Sequence, residues 1–365
     1  MATLHELPNP PTDAISSVAF SPDNSTLIVG SWDSGIHVYK SEGAGFTFSK
    51  KIECDAPVLS LAWDPDSQTF YSGGLDHEVA KYNVEKGEES RMVLSEHSEA
   101  ANKVAYSREF DLVISISWDK TMHVHNPETG RYASLKLDAK PFALSLTFDS
   151  ALVAMAERRN HVYKLQALKQ ILEQAGDIAE GQPPTHAQPW QERESSLKFM
   201  TRDVACMPDG TGFAASSIEG RVGVEFFEEE ANKNSYAFKC HRDKTTMANE
   251  DGGDAKPVDM VYPVNAVAFH PSHGTFATGG GDAAVALWDA KNKRRIKAYP
   301  KLAASVAALD FSADGKRLAI GVSPGFEDGK EEDELDQSQI KVYVREFEEG
   351  ETKAKAPKAK KEEAA

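Results

Sequence analysis

The sequence predicts an all-β protein in which seven four-stranded blades form one propeller. Three observations support this: strand-like segments recur at a nearly constant spacing, a turn aspartate recurs in phase with them, and the two ends of the chain can pair. One four-stranded blade cannot bury both of its faces, whereas seven blades around an axis cover one another. A single closed ring of repeats can therefore accommodate 365 residues without a second domain.

The first repeated feature is a strand that ends in an aromatic residue. Successive copies are 42 or 43 residues apart, except for one gap of 121 residues that holds a further unit, RDVACMPDGTGFAASS, and two insertions. The copies end at Phe20, Trp63, Tyr106, Phe148, Phe269 and Phe311. With the unit inside the gap, the count is seven blades.

The second repeated feature is an aspartate in the turn after each second strand. It occurs at Asp33, Asp76, Asp119 and Asp282. The equivalent position of the next strand follows six residues later, and only Trp288-Asp289 is a complete tryptophan-aspartate pair. Two features in phase at a spacing of about 40–45 residues are typical of WD repeats. The predicted fold is therefore a seven-bladed WD-repeat β-propeller.

The predicted bounds of the propeller follow from the strands at the two ends of the chain. IKVYV (residues 340–344) is expected to be the third strand of the last blade, with the N-terminal TLHEL as its fourth. The propeller is predicted to span residues 1–345, with insertions at about 167–188 and 243–259 and an acidic loop at about 326–336. The first insertion starts with a helical pattern, ALKQILEQAG, and the second is interpreted as a polar loop. Residues 346–365 are Lys/Glu/Ala/Pro-rich and are expected to be a disordered tail.

The composition argues against several classes of function. A net charge of −16 disfavours nonspecific nucleic-acid binding, which needs a positive surface. No apolar run is long enough for a membrane span, and no signal peptide is visible. Cys54, Cys206 and Cys240 are far apart and lack metal-ligand spacing, so reduced thiols in a nucleocytoplasmic protein are expected. The protein is predicted to be monomeric when alone.

The sequence contains no catalytic motif: a P-loop, HExxH and GxSxG are all missing. No enzyme activity, cofactor or metal is therefore expected. His97 and His241 precede first strands, and are interpreted as members of buried hydrogen-bond networks. The turn aspartates that would share such networks are Asp33, Asp76, Asp119 and Asp282. His270 and His273, in HPSHG, are interpreted as a surface loop.

The residue just before a turn aspartate is expected to point onto one face of the ring, near its centre. Trp32, Leu75 and Trp118 occupy this position. Tryptophans usually pack in a core, but here the aspartate turn favours exposure. An exposed apolar patch of this kind is typical of an interaction site.

Three cations map to the predicted fifth blade of this acidic protein. Arg202 follows the entering segment RESSLKFM, Arg221 follows the turn in which Glu219 replaces aspartate, and Lys239 lies in YAFKCHR. Each could be an ordinary solvated charge. Together on one blade, they indicate a site for a carboxylate or phosphate.

Several segments together resemble the Bub-three (Bub3) family, the WD-repeat proteins of the spindle assembly checkpoint. They are RESSLKFMTR, SSIEGRVGVEF, YAFKCHR, YPVNAVAFH, TFATGGGD, and the early SWD and GGLDH. The resemblance covers about Ile15 to Val344 apart from the insertions, and is densest from Arg193 to Asp289. The mRNA export factor Rae-one (Gle-two) shares much of the pattern.

The resemblance implies two peptide ligands. The first is a GLEBS segment of a checkpoint kinase or of its pseudokinase or Mad-three-like paralogue, laid across the top face. Arg202 would pair with a GLEBS glutamate, and the segment would pack beside Trp32, Leu75 and Trp118.

The second implied ligand is a phosphorylated MELT repeat of a kinetochore scaffold, with its phosphothreonine held by Arg221 and Lys239. A phosphothreonine carries about −1.5 to −2 charges, so phosphorylation could switch binding at a basic pair. These partners imply a nuclear protein that acts at kinetochores in mitosis, without direct nucleic-acid or membrane contact. The alternatives are an mRNA export factor that binds a nucleoporin GLEBS segment and, least supported, a hydrolase on a propeller.

Overall fold

The computed structural model describes residues 3–43, 45–175, 184–247, 256–325 and 336–354. Seven antiparallel sheets follow one another along the chain as blades, and the predicted seven-bladed propeller is confirmed. The first strand of each blade contacts the first strand of the next, and the last blade contacts the first. The ring is therefore closed, with the first strands lining its central channel.

The first three blades are the most regular part of the ring. Blade one consists of β2 (Ile15–Phe20), β3 (Thr26–Ser31), β4 (Gly35–Glu42) and β5 (Gly45–Glu53). Blade two consists of β6 (Val58–Trp63), β7 (Thr69–Gly74), β8 (Glu78–Asn83) and β9 (Gly87–Glu96). Blade three consists of β10 (Ala101–Ser107), β11 (Leu112–Ser117), β12 (Thr121–His125) and β13 (Tyr132–Lys136).

The next three blades include the insertions. Blade four consists of β14 (Pro141–Leu146), β15 (Ser150–Met155), β16 (Arg159–Lys164) and β18 (Gln191–Glu194). Blade five consists of β19 (Thr201–Cys206), β20 (Gly212–Ser217), β21 (Arg221–Phe226) and β22 (Tyr236–Lys239). Blade six consists of β25 (Val264–Phe269), β26 (Thr275–Gly280), β27 (Val285–Asp289) and β28 (Arg294–Ala298).

Blade seven joins the two ends of the chain. It consists of β29 (Val306–Phe311), β30 (Arg317–Val322), β31 (Lys341–Glu346) and the N-terminal β1 (Leu4–Glu6). β1 pairs antiparallel with β31, with His5 opposite Val344. The predicted closure by the N-terminal segment is present.

Burial explains why these segments form strands. The second strand is buried along its whole length in blades one, three, four, five and six, so it carries apolar or small residues on both faces. Among the described residues, the apolar core divides into seven clusters, one between each pair of neighbouring blades. The repeat length is therefore set by packing between blades.

The insertions differ from expectation in two places. The first contains the predicted helix, α1 (Leu165–Gln174), which buries Leu165, Leu168 and Leu172, and also a short strand, β17 (Thr185–His186), parallel to β13. The second, expected to be a loop, is a two-stranded hairpin of β23 (Arg242–Met247) and β24 (Lys256–Val261). A short helix, α2 (Glu229–Asn232), and a 3₁₀ turn (Gln337–Gln339) complete the fold.

The start of the tail packs on the propeller, so the expected boundary at residue 345 is too early. The Glu351 carboxylate accepts hydrogen bonds from Lys297 Nζ (2.8 Å) and the Tyr299 hydroxyl (2.9 Å). Thr352 is buried, and its carbonyl accepts from the Thr275 hydroxyl. Residues 355–365, most of the acidic loop (326–335) and the insertion residues 176–183 and 248–255 lie outside the described residues.

His270 is buried, whereas the HPSHG segment was predicted to be a surface loop. It is only 2% exposed, and its Nε2 lies 3.1 Å from the carbonyl oxygen of Gly315 in blade seven. Burial lowers the pKa of His270 to about 4. Within the described residues, no helix has the length and apolarity to cross a bilayer.

Candidate functional site

All seven first strands contain a β-bulge at their second residue. The register between first and second strand shifts there in every blade. A bulge redirects a side chain out of the regular alternation. The seven bulge residues are Ser16, Leu59, Asn102, Phe142, Arg202, Asn265 and Ala307. They form a ring at the end of the channel where the first strands begin, which we call the top face.

Arg202 is the one charged residue of this bulge ring. Its Nε and Nη2 donate to Oδ1 of Asn265 in the next blade, at 3.2 and 3.1 Å. Asn265 in turn donates to the Ser305 hydroxyl at 2.9 Å. Arg202 remains exposed, so the bulge presents a positioned guanidinium at the channel mouth.

The predicted apolar residues occupy an equivalent position in three adjacent blades. The backbone N–H groups of Trp32, Leu75 and Trp118 donate to the carbonyls of Ala14, Pro57 and Ala100 just before the first strands. Their turns therefore lie on the top face. Trp32 is 42% exposed, whereas Leu75 and Trp118 are half-buried, and Lys140 Nζ lies 4.9 Å from the Trp118 ring centroid.

Ile218 occupies the same position in blade five and was missed from sequence. Its N–H donates to the carbonyl of Met200, and it is 40% exposed. Phe199 and Met200, in the preceding loop, are 53% and 46% exposed. The sequence signal for this position is SIEG, in which Ile218 precedes Glu219, the acid that replaces the turn aspartate.

Arg221 and Lys239 lie directly opposite each other on β21 and β22. Side chains of directly paired residues share a face of the sheet, about 5 Å apart at Cβ. Arg221 is half-buried with its Nε 3.3 Å from Glu219 Oε2, and Lys239 is exposed. One strand, β20, separates this pair from Arg202 on β19. Within blade five, Arg202 therefore lies on the inner strand and the Arg221/Lys239 pair on the two outer strands.

A complete hydrogen-bond network surrounds His241 in blade six. Its Nδ1 lies 2.7 Å from Asp282 Oδ1, and its Nε2 lies 2.8 Å from the Thr278 hydroxyl, which also accepts from Trp288 Nε1. His241, Thr278 and Asp282 are all buried. The network fixes the turn of blade six to the loop before its first strand.

The network in blade three is built differently around His97. Its Nε2 contacts the Ser115 hydroxyl at 2.9 Å and its Nδ1 the Thr121 hydroxyl at 2.8 Å, while Asp119 Oδ1 accepts from Thr121 at 2.6 Å. His97 Nδ1 is 3.5 Å from Asp119. Burial opposes ionisation of Asp119, but its bonds to His97 and Thr121 outweigh it, and its pKa is lowered.

The turn aspartates of blades one and two have no histidine from the preceding loop. Asp33 instead contacts His37 Nε2 on the next strand, at 2.9 Å, and accepts from the Thr12 amide. These bonds outweigh burial and lower the pKa of Asp33 to about 2. Asp76 accepts from the Glu78 amide, and burial raises its pKa.

Blade five has an arginine–glutamate pair in place of the histidine network of blade six. Glu225 stands where blade six has Trp288, is 5% exposed, and accepts from the Ser196 amide at 3.0 Å. Arg193 Nη2 lies 3.7 Å from Glu225 and also donates to the Phe226 carbonyl at 2.9 Å. This turn has no histidine, so Glu219 is left to face Arg221.

Two carboxyl groups in the channel connect neighbouring blades. Asp203 accepts from the Val267 amide at 2.9 Å, between blades five and six, and Asp310 accepts from the Phe20 amide at 2.8 Å, between blades seven and one. Burial raises the pKa of Asp203 and raises that of Asp310 to about 7. Nowhere in the described part of the chain do three metal-binding side chains converge.

Comparison with known families places this geometry among WD-repeat proteins. The WD domain, G-beta repeat model matches residues 2–40, 47–83 and 261–289. Among solved structures, that of the RRP9 WD40 repeats superposes with a TM-score of 0.73 at 15% identity, covering 94% of this chain and 97% of that one. At this identity the likeness shows the fold alone.

Curated relatives match along nearly the whole chain. Mitotic checkpoint protein BUB3.1 of Arabidopsis thaliana is 38% identical, covering 96% of this chain and 94% of the relative. Mitotic checkpoint protein bub3 of Dictyostelium discoideum is 30% identical, covering 92% and 93%. A poly(A)+ RNA export protein of Schizosaccharomyces pombe is also 30% identical, covering 89% and 85%.

Proposed function

The chain belongs to the Bub3 family of WD-repeat proteins, and from this membership we propose that it is a non-catalytic scaffold of the spindle assembly checkpoint. It binds GLEBS segments of checkpoint kinases and pseudokinases, and phosphorylated MELT repeats of a kinetochore scaffold. It thereby recruits the kinases to kinetochores in mitosis. The observation that carries the phosphopeptide part is the Arg221/Lys239 pair.

Two cations directly opposite each other on paired strands repel, and such a pair is unfavourable in the absence of an anion. Glu219 compensates Arg221 at 3.3 Å, but Lys239 is exposed. A phosphate between the two side chains would relieve the repulsion and accept charge-assisted hydrogen bonds from both. The unphosphorylated threonine offers only a neutral hydroxyl, so binding depends on phosphorylation.

The GLEBS segment is assigned to the inner part of the top face. Arg202 supplies a guanidinium for a carboxylate, held in place by Asn265. Trp32 supplies exposed apolar area, with Leu75 and Trp118 beside it on the next two blades. An extended segment that becomes ordered on binding needs a few strong anchors of this kind. The inner and outer cations are separate, so both peptides can be bound together.

The test is a titration of a MELT peptide, with and without threonine phosphate, at fixed salt. Wild-type protein should prefer the phosphopeptide at least tenfold, and Arg221→Glu should abolish that preference. Lys86→Glu, an exposed charge reversal in blade two, is the matched control and should change little. Unchanged phosphopeptide affinity in Arg221→Glu would show that the pair has another role.

An mRNA export role is the second candidate, favoured by the poly(A)+ RNA export relative. The same top face would then bind a nucleoporin GLEBS segment. Affinity purification from mitotic cells separates the two roles. Recovery of checkpoint kinase supports the scaffold, whereas recovery of a nucleoporin without any checkpoint kinase would reverse the ranking.

A further inference from the structure

The hairpin of β23 and β24 stands on the top face, beside the proposed phosphothreonine site. It lies in the connection from blade five to blade six, and ends where the Gly281 N–H donates to the Pro263 carbonyl. This bond is equivalent to those of Trp32, Leu75 and Trp118. The hairpin therefore rises from the same face as those residues.

Contacts at its base join the hairpin to the turn that carries Arg221. Arg242 Nη2 donates to the carbonyl of Glu219 at 2.8 Å. A Cβ added to Gly220, which has a φ of +61°, would lie 2.9 Å from Val261 Cγ1, so this strand packs closely on the turn. On the other side, Lys301 Nζ pairs with Asp243 at 2.5 Å. The base of the hairpin is thus positioned relative to the cationic pair.

Apart from these contacts at its base, the hairpin is mostly exposed within the described structure. Successive strand residues point to opposite faces, yet Met260 and Val261 are 46% and 37% exposed. Only Val258 of β24 is partly shielded. The sheet has two strands, and isolated two-stranded sheets are marginal in water. Such a sheet also has edges whose backbone groups can pair with another chain.

The exposed apolar residues of the protein concentrate at this point. Eleven large apolar side chains are exposed in the described residues. Five of them surround the turn of blade five: Phe199, Met200, Ile218, Met260 and Val261. Lys244, exposed on β23, and Arg242 add positive charge beside them. An apolar and cationic surface contiguous with Arg221 fits an extended peptide with both apolar and acidic side chains.

We propose that the β23–β24 hairpin is a docking arm for the chain that flanks the phosphothreonine. The flanking segment pairs with a free edge of the hairpin as a third strand, a recognised mode of peptide binding. Its apolar side chains cover Met260 and Val261, and its acidic side chains face Arg242 and Lys244. This inference rests on the proposed phosphopeptide binding, and extends the site from a single phosphate to a length of backbone.

Peptide length tests the inference separately from phosphate binding. We would compare a short MELT phosphopeptide with versions extended by about six residues, an average strand, on either side. For the wild-type protein, one extension should raise the affinity about tenfold. Met260→Ser should lose most of this gain, while binding the short phosphopeptide as wild type does. Met92→Ser, at an equally exposed methionine on β9, is the control and should keep the gain.

Amide hydrogen exchange gives an independent readout on the unmodified protein. The extended phosphopeptide should protect amides in residues 242–247 and 256–261, and the short one should not. If short and extended phosphopeptides bind equally to the wild type, or the serine variant keeps the gain, the docking arm is refuted and phosphothreonine binding stands. If neither peptide binds, both proposals fail together.

Discussion

Blades five and six are neighbours with the same four-stranded topology, yet different chemistry holds their turns in place. Blade six uses a buried hydrogen-bond network of Trp288, Thr278, His241 and Asp282. The corresponding residues of blade five are Glu225, Ala215, a serine-containing loop and Glu219. In blade six the turn carboxylate is occupied by histidine. In blade five the turn carboxylate is that of Glu219, and it faces Arg221 instead. The second cation, Lys239, is exposed at the surface next to Arg221.

The difference shows that the buried network of blade six and the cationic pair of blade five are alternative ways of compensating the turn carboxylate. A complete network closes the turn and buries its polar groups, leaving none for a ligand. Blade five holds its loop with the Arg193–Glu225 pair deeper in the blade, so its turn is free for recognition.

Glu225→Leu should give the largest loss of stability. It removes the carboxylate beside the partly buried Arg193 and leaves the Ser196 amide without its acceptor, and losing a charge-assisted acceptor in this way costs about 3 kcal/mol. Urea unfolding at pH 7 measures the free energy. The double variant Arg193→Met/Glu225→Leu should recover part of it. A loss below about 1 kcal/mol in the single variant would mean that the pair does not hold blade five.

Thr278→Val should destabilise blade six by about 2 kcal/mol. The isosteric change removes the hydroxyl that joins His241 Nε2 and Trp288 Nε1, and leaves both groups buried without a partner. The same urea experiment measures this loss, and Trp288 fluorescence reports on its environment. Thr129→Val, on an exposed turn, should be neutral. An equal effect at both threonines would contradict the network's role.

Asp310→Asn should change how stability depends on pH. Burial raises the pKa of Asp310 to about 7, so the folded protein holds this proton more tightly than the unfolded chain. The contribution is present at acid pH and is lost as pH rises from about 4 through 7. Asparagine keeps an acceptor for the Phe20 amide without the titration.

Between pH 5 and pH 8, the free energy of unfolding of Asp310→Asn should therefore rise by about 1–2 kcal/mol relative to that of the wild type. The full shift corresponds to about 4 kcal/mol, and we discount it because the channel leaves Asp310 partly exposed. Thermal or urea unfolding of both proteins at each pH measures the difference. If the free energies of unfolding of the two proteins depend on pH in the same way, the titration is not that of Asp310. Asp203→Asn, between blades five and six, should show the same direction.

Lys239→Arg should have the smallest effect. Either side chain places a cation opposite Arg221, so phosphopeptide affinity should stay within about threefold, whereas Lys239→Ala should lose about tenfold. Stability should not change in either variant, since Lys239 is exposed. Equal affinity for the alanine and arginine variants would assign the phosphate to Arg221 alone.

The sequence predicted the ring well because a blade is a local unit. The turn aspartates and strand-end aromatics recur within each blade, and α1 follows from its own apolar spacing. The closing strand also followed from pattern, since seven third strands need seven partners. Apart from the closing strand, these features depend on neighbours that are close in sequence.

Features that depend on register or on distant contacts were not predictable. The bulge ring contains residues as different as Ser16, Phe142 and Arg202, because a bulge is a relation between two strands and has no residue signature here. The sequence predicted a polar loop in place of the β23–β24 hairpin, because strands that no other part of the protein covers lack the apolar pattern of buried strands. Glu351 lies in a Lys/Glu-rich segment, and only the fold reveals Lys297 and Tyr299 beside it.

The closure of blade seven has a consequence for synthesis of the protein. β1 leaves the ribosome first but pairs with β31, and its Glu6 bonds Lys341, 335 positions later. At about 5–20 residues per second, the first strand waits roughly 20–70 s for its partner. Until then the nascent chain exposes an unpaired strand and the open flank of blade one. A fusion partner placed directly on β1 is therefore expected to slow the last step of folding, the pairing of β1 with β31.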